Sequence, residues 1–295
     1  MIEAVKRALP WWAKIACKLV LARLPVRGRT WQSLGLFSPG RMLEPAYALC
    51  VFETHYRNAG SPAPGFRFLE LGPGDSLASA VIGRAFGAAG CWLVDAGAYA
   101  ARDMAVYRDL VAYLSEARAG AALDAAARAG DVDELLAACG AVHLEDGLAS
   151  LRSVPAASCD FVFSQAVLEH VPREQFAATL RQTWRILRPG GTASHNIDFR
   201  DHLGGGLDHL RFSERLWEAP WFARRSGFYT NRLRPSEMAR AFEEADFAAA
   251  VETGARWDRL PIARERLDAA FRALPDEELA VQTMRAVLRK EGGHS

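Results

Sequence analysis

Polar side chains suited to proton transfer are concentrated between residues 194 and 209. His195, Asp198, Asp201 and His202 follow one another closely after a predicted strand. A histidine oriented by a carboxylate can act as a general base toward a hydroxyl or an amine. We take His202 as the first candidate base and His195 as the second, with Asp198 or Asp201 as the orienting partner.

Two other interpretations of this polar stretch stay open. Histidine and aspartate side chains can cap turns around Gly204-Gly205-Gly206 by bonding to the backbone. Imidazole and carboxylate groups can also bind a metal ion, but the stretch has no strict ligand spacing, so we predict no metal site.

These candidate groups need a scaffold, and the clearest scaffold signal starts at residue 67. Arg67 to Leu71 predicts a strand, Gly72-Pro73-Gly74 a tight turn, and Leu77 to Phe86 a helix with Ser76 as its N-cap. Glycines in such a turn let a ligand approach the backbone, and the helix start offers unpaired N–H groups. This pattern indicates a cradle for a nucleotide or nucleoside.

The next strand strengthens the nucleoside interpretation. The apolar run from Cys91 ends at Asp95, about 20 residues beyond the glycine turn, where a carboxylate can meet ribose hydroxyls. Leu77 stands where the dinucleotide fingerprint needs its third glycine, and Glu70 precedes the turn. Both features argue against NAD.

Four motifs occur in a familiar order along residues 67–198. They are Leu69-Glu70-Leu71-Gly72-Pro73-Gly74, then Asp95, then the segment from Cys159 to Val171, and then Leu187-Arg188-Pro189-Gly190-Gly191. Together they resemble class I S-adenosylmethionine-dependent methyltransferases, in particular bacterial enzymes that act on small molecules or glycans. The resemblance implies an α/β, doubly wound, Rossmann-like sheet of seven strands in the order 3-2-1-4-5-7-6, with the last strand antiparallel and an N-terminal helical lid.

The same resemblance implies S-adenosyl-L-methionine as the cofactor and a set of residues that bind it. After the third strand, an acid is expected to accept a hydrogen bond from the adenine amino group; Asp146 is our choice and Glu145 its competitor. His170 is expected to shape the site. The cofactor-binding residues implied are Glu70, Gly72, Gly74, Asp95, Asp146, Gly147, Ser164 and Gln165.

The chain divides into two parts on this interpretation. Residues 1–64 form the lid, beginning with a basic amphipathic helix that packs on the enzyme or, less favoured, lies on a membrane surface. Residues 65–295 form the methyltransferase domain, with helical insertions at 98–140 and 258–280. The piece 286–290 fits either the final strand or a helix.

Composition limits the possible partners. The 36 basic and 35 acidic residues leave a formal net charge of +1, which gives no field to recruit nucleic acid. The five scattered cysteines predict buried reduced thiols in a cytoplasmic protein. The aromatic stretch 211–231 fits a second lid or core packing, and its arginines Arg224, Arg225 and nearby Arg232 fit either an anion site or solvated surface.

The favoured function is methyl transfer to a small-molecule, saccharide or secondary-metabolite acceptor. Displacement at a sulfonium needs alignment and water exclusion, and a base only when the acceptor must lose a proton. The alternatives are a Rossmann-type NAD(P) oxidoreductase and a methyltransferase-like protein that binds without catalysis. The oligomeric state is left open.

Overall fold

The computed structural model describes residues 12, 13, 15, 41–118, 121–224 and 228–292. The predicted helix at 2–24 and the connector after it therefore fall almost entirely outside the described residues. Within the described ranges, no helix combines the length and the apolar character needed to cross a bilayer.

One seven-stranded sheet organises the described chain, in the order β3-β2-β1-β4-β5-β7-β6. Strand β7 runs antiparallel to β5 and β6, and the pairs among β1 to β5 are parallel. The predicted fold class is confirmed, and the piece 286–290 belongs mostly to a strand. The strands are β1 (Arg67–Leu71), β2 (Gly90–Val94), β3 (Ala141–Leu144), β4 (Cys159–Gln165), β5 (Leu187–Asp198), β6 (Ala248–Thr253) and β7 (Thr283–Arg289).

Helices cover both faces of the sheet. The longer ones are α1 (Pro45–Asn58), α2 (Ala78–Ala85), α3 (Met104–Ala117), α5 (Val132–Ala138), α7 (Arg173–Ile186) and α9 (Pro235–Glu244). Shorter helices are α4 (Asp124–Ala127), α6 (Leu148–Ser153), α8 (Glu214–Trp217), α10 (Ala269–Arg272) and α11 (Asp276–Leu279), with 3-10 turns at Arg41–Leu43, Leu168–His170, Asp208–Arg211 and Arg264–Arg266 and a π turn at Pro220–Arg224.

Strand β1 lies in the middle of the parallel region because its sequence is apolar on both faces. Phe68 and Leu69 are fully buried on opposite sides of the sheet. At its end, helix α2 begins one residue later than predicted. Leu77 occupies the N-cap position, and Ser76 accepts a hydrogen bond from the Ala78 N–H at 3.2 Å instead of capping from its own position.

Helix α1, the described helix of the segment predicted as a lid, packs on the core of the sheet. Phe52 is fully buried and its ring lies 5.2 Å from that of Phe68 on β1. His55, one turn later, is also fully buried. This helix therefore contributes to the sheet's main apolar cluster, while the division of the chain at residue 64 stays a prediction.

The two predicted insertions contain helices in the structure. Helices α3, α4 and α5 fill the connection between β2 and β3 and pack on the same core as α1. Between β6 and β7, the short helices α10 and α11 enclose a separate apolar cluster with the loop that follows β5, through residues such as Leu210 and Phe271. The second insertion thus supports the loop that carries the candidate bases.

Among the described cysteines, Cys91, Cys139 and Cys159 are buried free thiols, as predicted. Cys50 differs, because it lies on the outer face of α1 and is exposed.

Candidate active site

The glycine turn after β1 adopts a backbone conformation that L side chains rarely take. Gly72 and Gly74 both have φ of 65°. A Cβ on Gly72 would lie 2.6 Å from a methyl carbon of Val167, which follows β4. A Cβ on Gly74 would meet nothing closer than the Gly72 carbonyl oxygen at 4.0 Å. Gly72 is therefore needed for close packing, whereas Gly74 faces open space.

Asp95 fastens the end of β2 to this turn. Its Oδ2 accepts the Gly74 N–H at 2.7 Å, and its Oδ1 accepts the Ala96 N–H at 2.7 Å. Burial raises the pKa of Asp95 above its ordinary value, and these two backbone donors oppose that rise. Each carboxylate oxygen retains a lone pair, so Asp95 can still accept a hydrogen bond from a ligand hydroxyl group.

A cavity of about 520 Å³ opens beside the glycine turn at the ends of the parallel strands. This volume lies within the usual range for small-molecule sites, and the position is the one where ligands bind in open α/β sheets. Its wall includes Gly72, Gly74, Asp95, Tyr99, Gly147, Leu148, Leu151, Val167, His170, Val171, Gln175, Thr179 and Tyr229. Open backbone, a carboxylate and apolar side chains together fit a nucleoside with a charged tail, and hence S-adenosylmethionine.

Other residues predicted to bind the cofactor lie around the cavity rather than on its wall. Glu70 is buried beneath the turn, where burial raises its pKa to about 8, and its Oε2 has no hydrogen-bond partner. The Asp146 side chain is exposed, while Gly147 beside it does line the cavity. Glu145 turns toward His143, with 3.5 Å between carboxylate oxygen and ring nitrogen.

Ser164 and His195 bond to each other inside the sheet. Ser164 Oγ lies 2.7 Å from His195 Nδ1, and both residues are fully buried. Alternation along β5 turns His195 to the same face as Ala193 and Ile197, which belong to the apolar core. Burial and the nearby His55 lower the pKa of His195 to about 3. The structure therefore does not bring this second candidate base to the cavity.

Gln165 is held by a polar network that sequence reasoning missed. His55 on α1 places Nδ1 2.8 Å from Ser194 Oγ and Nε2 3.3 Å from Gln165 Oε1. Asn196 donates its side-chain N–H to the same Gln165 oxygen at 2.9 Å. Burial lowers the pKa of His55 to about 4, so the ring is neutral. The helical spacing of α1 marks His55 as inward-facing, but its partners lie over a hundred residues away.

His202, the first candidate base, lies against His170, which lines the cavity, but is not itself a lining residue. The two ring centroids are 4.7 Å apart, with the planes inclined by 40°. Both side chains keep exposed surface. His170 lines the cavity, and its Nδ1 lies 2.8 Å from the carbonyl oxygen of Tyr229. The structure thus brings together two imidazoles from separate segments.

The predicted orienting carboxylates have other partners. Asp198 forms a two-oxygen ion pair with Arg200, with the shortest N–O distance at 2.7 Å. Asp201 accepts four backbone N–H groups, from Leu203, Gly204 and Gly205 on Oδ1 and from Asp208 on Oδ2. Burial alone would raise the pKa of Asp201, but the neighbouring His209 and these donors outweigh it and lower that pKa. Asp201 therefore caps the glycine-rich loop, which agrees with the interpretation that these side chains bond to backbone groups of the turn.

Residues 228–234, which we call the strap, hold the turn that carries His170. Asn231 is buried and donates its backbone N–H to the Glu169 carbonyl oxygen at 2.7 Å. Its side-chain amide donates to the carbonyl oxygens of Leu168 at 2.8 Å and Val171 at 3.0 Å. The strap therefore surrounds the turn 168–171 with hydrogen bonds, and nothing in the sequence near Asn231 signals this role.

The aromatic stretch 211–231, which runs into the strap, is mainly core. Trp217, Phe222 and Phe228 form a buried cluster, although Trp221 is 60% exposed and Tyr229 reaches the cavity.

Arg232 does not line the cavity. It is buried and donates to the backbone carbonyl of Phe212 at 2.6 Å. The side chains of Arg224 and Arg225 lie outside the described part of the chain. As for the metal hypothesis, no group of three or more His, Cys, Asp or Glu side chains within the described ranges is placed to hold an ion.

Comparison with known proteins gives the family. A family model described as a methyltransferase domain matches residues 42–251. No curated protein matches this chain. Solved structures of low similarity include a complex of the Trm112 methyltransferase activator with a putative methyltransferase from Haloferax volcanii, at 17% identity over 85% of this chain and 96% of that one, with a TM-score of 0.42.

Two further structures show a comparable level of similarity. One is phosphoethanolamine N-methyltransferase 2 of Haemonchus contortus in complex with S-adenosyl-L-methionine, at 13% identity and a TM-score of 0.46; the match covers 81% of this chain and 52% of that chain. The other is a SAM-dependent methyltransferase from Archaeoglobus fulgidus, at 12% identity and a TM-score of 0.45, covering 84% and 95%. On the family match, the chain belongs to the methyltransferase domain family and is an S-adenosylmethionine-dependent methyltransferase.

Proposed function

We propose that this enzyme methylates a hydroxyl or amino group on a small-molecule, saccharide or secondary-metabolite acceptor, with assistance from a histidine. The observation that supports this proposal is the continuity of the cavity. Gly74 and Asp95 line the same cavity as His170 and Tyr229. Cofactor and acceptor can therefore occupy one cavity, with a histidine on its wall as the proton acceptor.

The cofactor supplies an electrophilic methyl group on a positively charged sulfur. The chain itself needs no nucleophilic side chain, because its contribution is to align the acceptor and exclude water. Gly72 and Gly74 leave the backbone accessible, Asp95 offers carboxylate lone pairs to hydroxyls, and Leu148 and Leu151 supply apolar wall.

The cavity wall offers both apolar and polar contacts to a compact acceptor. Val171 and Pro172 give apolar surface there, while Gln175, Thr179 and Tyr229 can form hydrogen bonds. A formal net charge of +1 supplies no field for a polyanion. These features support a small acceptor with hydroxyl groups over a nucleic acid.

Titration calorimetry tests the cofactor half of the proposal. We expect S-adenosylmethionine and S-adenosylhomocysteine to bind, and NAD to give no heat of binding. Asp95→Asn removes the charge and leaves one of the two backbone donors, Gly74 N–H or Ala96 N–H, facing an amide NH2, so we expect binding to weaken by about tenfold or more. Tight NAD binding without S-adenosylmethionine binding would support the oxidoreductase instead.

A panel of acceptors tests the other half. Methyl transfer from radiolabelled S-adenosylmethionine is measured to phenols, sugars, nucleotide sugars, small amines and an RNA control. We expect transfer to members of the hydroxyl or amine classes and none to RNA. Cofactor binding without transfer to any small acceptor would favour the non-catalytic alternative.

A further inference from the structure

We propose that His170, rather than His202, is the general base, and that its Nε2 takes the proton of the acceptor group. This inference rests on the proposed function, because it concerns the same cavity. It is supported by the position of His170 on the cavity wall, by the partner of its other ring nitrogen, and by the hydrogen bonds that fix that partner.

The partner of Nδ1 determines which ring nitrogen is basic. Nδ1 of His170 lies 2.8 Å from the carbonyl oxygen of Tyr229. A carbonyl oxygen only accepts hydrogen bonds, so Nδ1 must carry a proton. In the neutral ring, the lone pair is then on Nε2. The contact with Tyr229 thus fixes both the tautomer and the ring orientation.

The strap makes this arrangement rigid. The Tyr229 carbonyl is followed by Thr230, whose own carbonyl accepts the Trp217 Nε1–H at 2.7 Å. Asn231 then bonds to three carbonyl groups on the turn that carries His170, those of Leu168, Glu169 and Val171. Ring and acceptor carbonyl therefore belong to segments that are fixed to each other on both sides.

The charged surroundings of the ring are mixed. Asp198, at the end of β5, favours the charged ring, but Arg200 pairs with that carboxylate. His202 from the following loop contacts the ring, and Glu169 precedes it on the turn, with burial raising the Glu169 pKa to about 8. Burial lowers the pKa of His170, although the exposed surface that the residue keeps weakens this effect. The ring is consequently neutral and able to accept a proton near neutral pH.

His202 does not itself line the cavity. Its exposed ring packs against the ring of His170. We therefore assign His202 a role in holding the His170 ring, which makes it a positioning residue.

The proton and the electrons balance as follows for a hydroxyl acceptor. The acceptor oxygen forms a bond to the methyl carbon, the carbon–sulfur bond breaks, and its electron pair stays on sulfur. The hydroxyl proton moves to Nε2 of His170. The positive charge lost at sulfur thus reappears on the imidazolium, which later releases its proton to water.

The first test measures the tautomer and needs no acceptor. Long-range proton–nitrogen NMR on the full chain labelled with ¹⁵N-histidine distinguishes protonated from bare ring nitrogens. We expect His170 to be neutral with the proton on Nδ1 at neutral pH, in the free protein and with S-adenosylhomocysteine. His170→Asn identifies the signals. A proton on Nε2 alone, or a doubly protonated ring, would overturn the proposal even if the enzyme methylates its acceptor.

The second test compares two matched variants. In His170→Asn, the side-chain amide can still donate to the Tyr229 carbonyl, but the base is gone. With a hydroxyl acceptor found in the panel, we expect kcat to fall by about 100-fold or more, with the acidic limb of the pH profile lost and affinity for S-adenosylhomocysteine retained. For His202→Asn, we expect a loss below about tenfold. A large loss for His202→Asn with near-normal turnover for His170→Asn would reverse the assignment.

Failure of the proposed function gives a different result from failure of this inference. Absence of cofactor binding or of transfer by the wild-type protein rejects the function. Transfer by the wild type together with unchanged kcat in His170→Asn rejects only the role of His170.

Discussion

The two sides of the cavity are built by different means. On the loop side, Gly72, Gly74 and Asp95 lie within one strand-turn-helix-strand unit, and backbone conformation sets their geometry. On the strap side, the turn 168–171 is held by side-chain hydrogen bonds to residues that are 59 to 63 positions away in sequence. The loop side should therefore be sensitive to added atoms, and the strap side to removed ones.

Each side nevertheless buries one carboxyl group of the same kind. Burial raises the pKa of Glu70 on the loop side and of Glu169 on the strap side to about 8, from an ordinary value of 4.5. Each has one oxygen without a hydrogen-bond partner. Both sides thus contain a group that is more stable protonated than ionised at moderate pH.

We expect the largest change in stability when either glutamate is replaced by glutamine, which cannot ionise. Between pH 4.5 and about 8 the folded protein keeps protons that the unfolded chain has released. The two protonated carboxyl groups contribute fully to the free energy of unfolding below the pKa that they have in the unfolded chain. This contribution is lost as the pH rises through their pKa in the folded protein, and it amounts to about 1.4 kcal/mol per unit of pKa shift. Glu70→Gln and Glu169→Gln, which keep the neutral shape, should each be more stable than wild type at alkaline pH.

Urea unfolding from about pH 5 to about pH 9 measures this difference. Each variant should show a weaker decrease in stability with pH than the wild type. Curves that run parallel to the wild-type curve would mean that the carboxyl is ionised in the folded protein. If only one variant shows the weaker decrease in stability with pH, only that side of the cavity buries a protonated carboxyl group, and the two sides then differ in charge state as well as in construction.

The next largest loss of stability is expected on the strap side of the cavity. Asn231→Ala removes the side-chain bonds to Leu168 and Val171 and the acceptor for the Leu233 N–H. With three backbone groups losing their partners at about 1 to 3 kcal/mol each, we expect the free energy of unfolding to fall by about 4 kcal/mol. Urea unfolding at one pH measures it.

A surface ion pair provides the control for Asn231. Arg285 and Glu252 lie 3.2 Å apart, with 46% and 72% of their side chains exposed. Arg285→Ala should cost less than about 1 kcal/mol. A loss for Asn231→Ala as small as this one would show that the strap does not depend on its hydrogen bonds.

The contrast between the two sides also explains what the sequence predicts. The strand, the glycine turn and Asp95 follow from residue types and short spacings, because the interactions that form them are local. The strand order is not encoded locally; the resemblance to the methyltransferase family implies it, and the structure confirms it. Leu77 in place of Ser76 as N-cap is a difference of one residue, within the usual uncertainty of helix ends.

Placement of the polar candidates required the structure. Side chains at 195, 198, 201 and 202 are neighbours in sequence, yet His195 lies in the core, Asp198 pairs with Arg200, and Asp201 caps a loop. The decisive contact for His170 comes from Tyr229, 59 residues later. No local pattern encodes such a pair, because it depends on how the strap packs on the sheet.

Gly72→Ala tests the loop side by adding one methyl group. The new Cβ would lie 2.6 and 2.7 Å from the two methyl carbons of Val167, and φ of 65° already disfavours alanine. Crowding against a stiff side chain, together with backbone strain, should cost about 3 kcal/mol of unfolding free energy. Thermal or urea unfolding measures this cost. A neutral result would show that Val167 and its turn can move away freely.

Gly74→Ala is the matched substitution, and it should cost less stability than Gly72→Ala. The backbone angle is the same, but the added methyl has no neighbour within contact distance except the Gly72 carbonyl oxygen at 4.0 Å. Only the backbone strain remains, about 1 kcal/mol. Because Gly74 lines the cavity, calorimetry should show weaker binding of S-adenosylhomocysteine, even though the fold is nearly as stable as before. Equal stability losses for Gly72→Ala and Gly74→Ala would mean that backbone strain, rather than close packing against Val167, makes the loop side sensitive to added atoms.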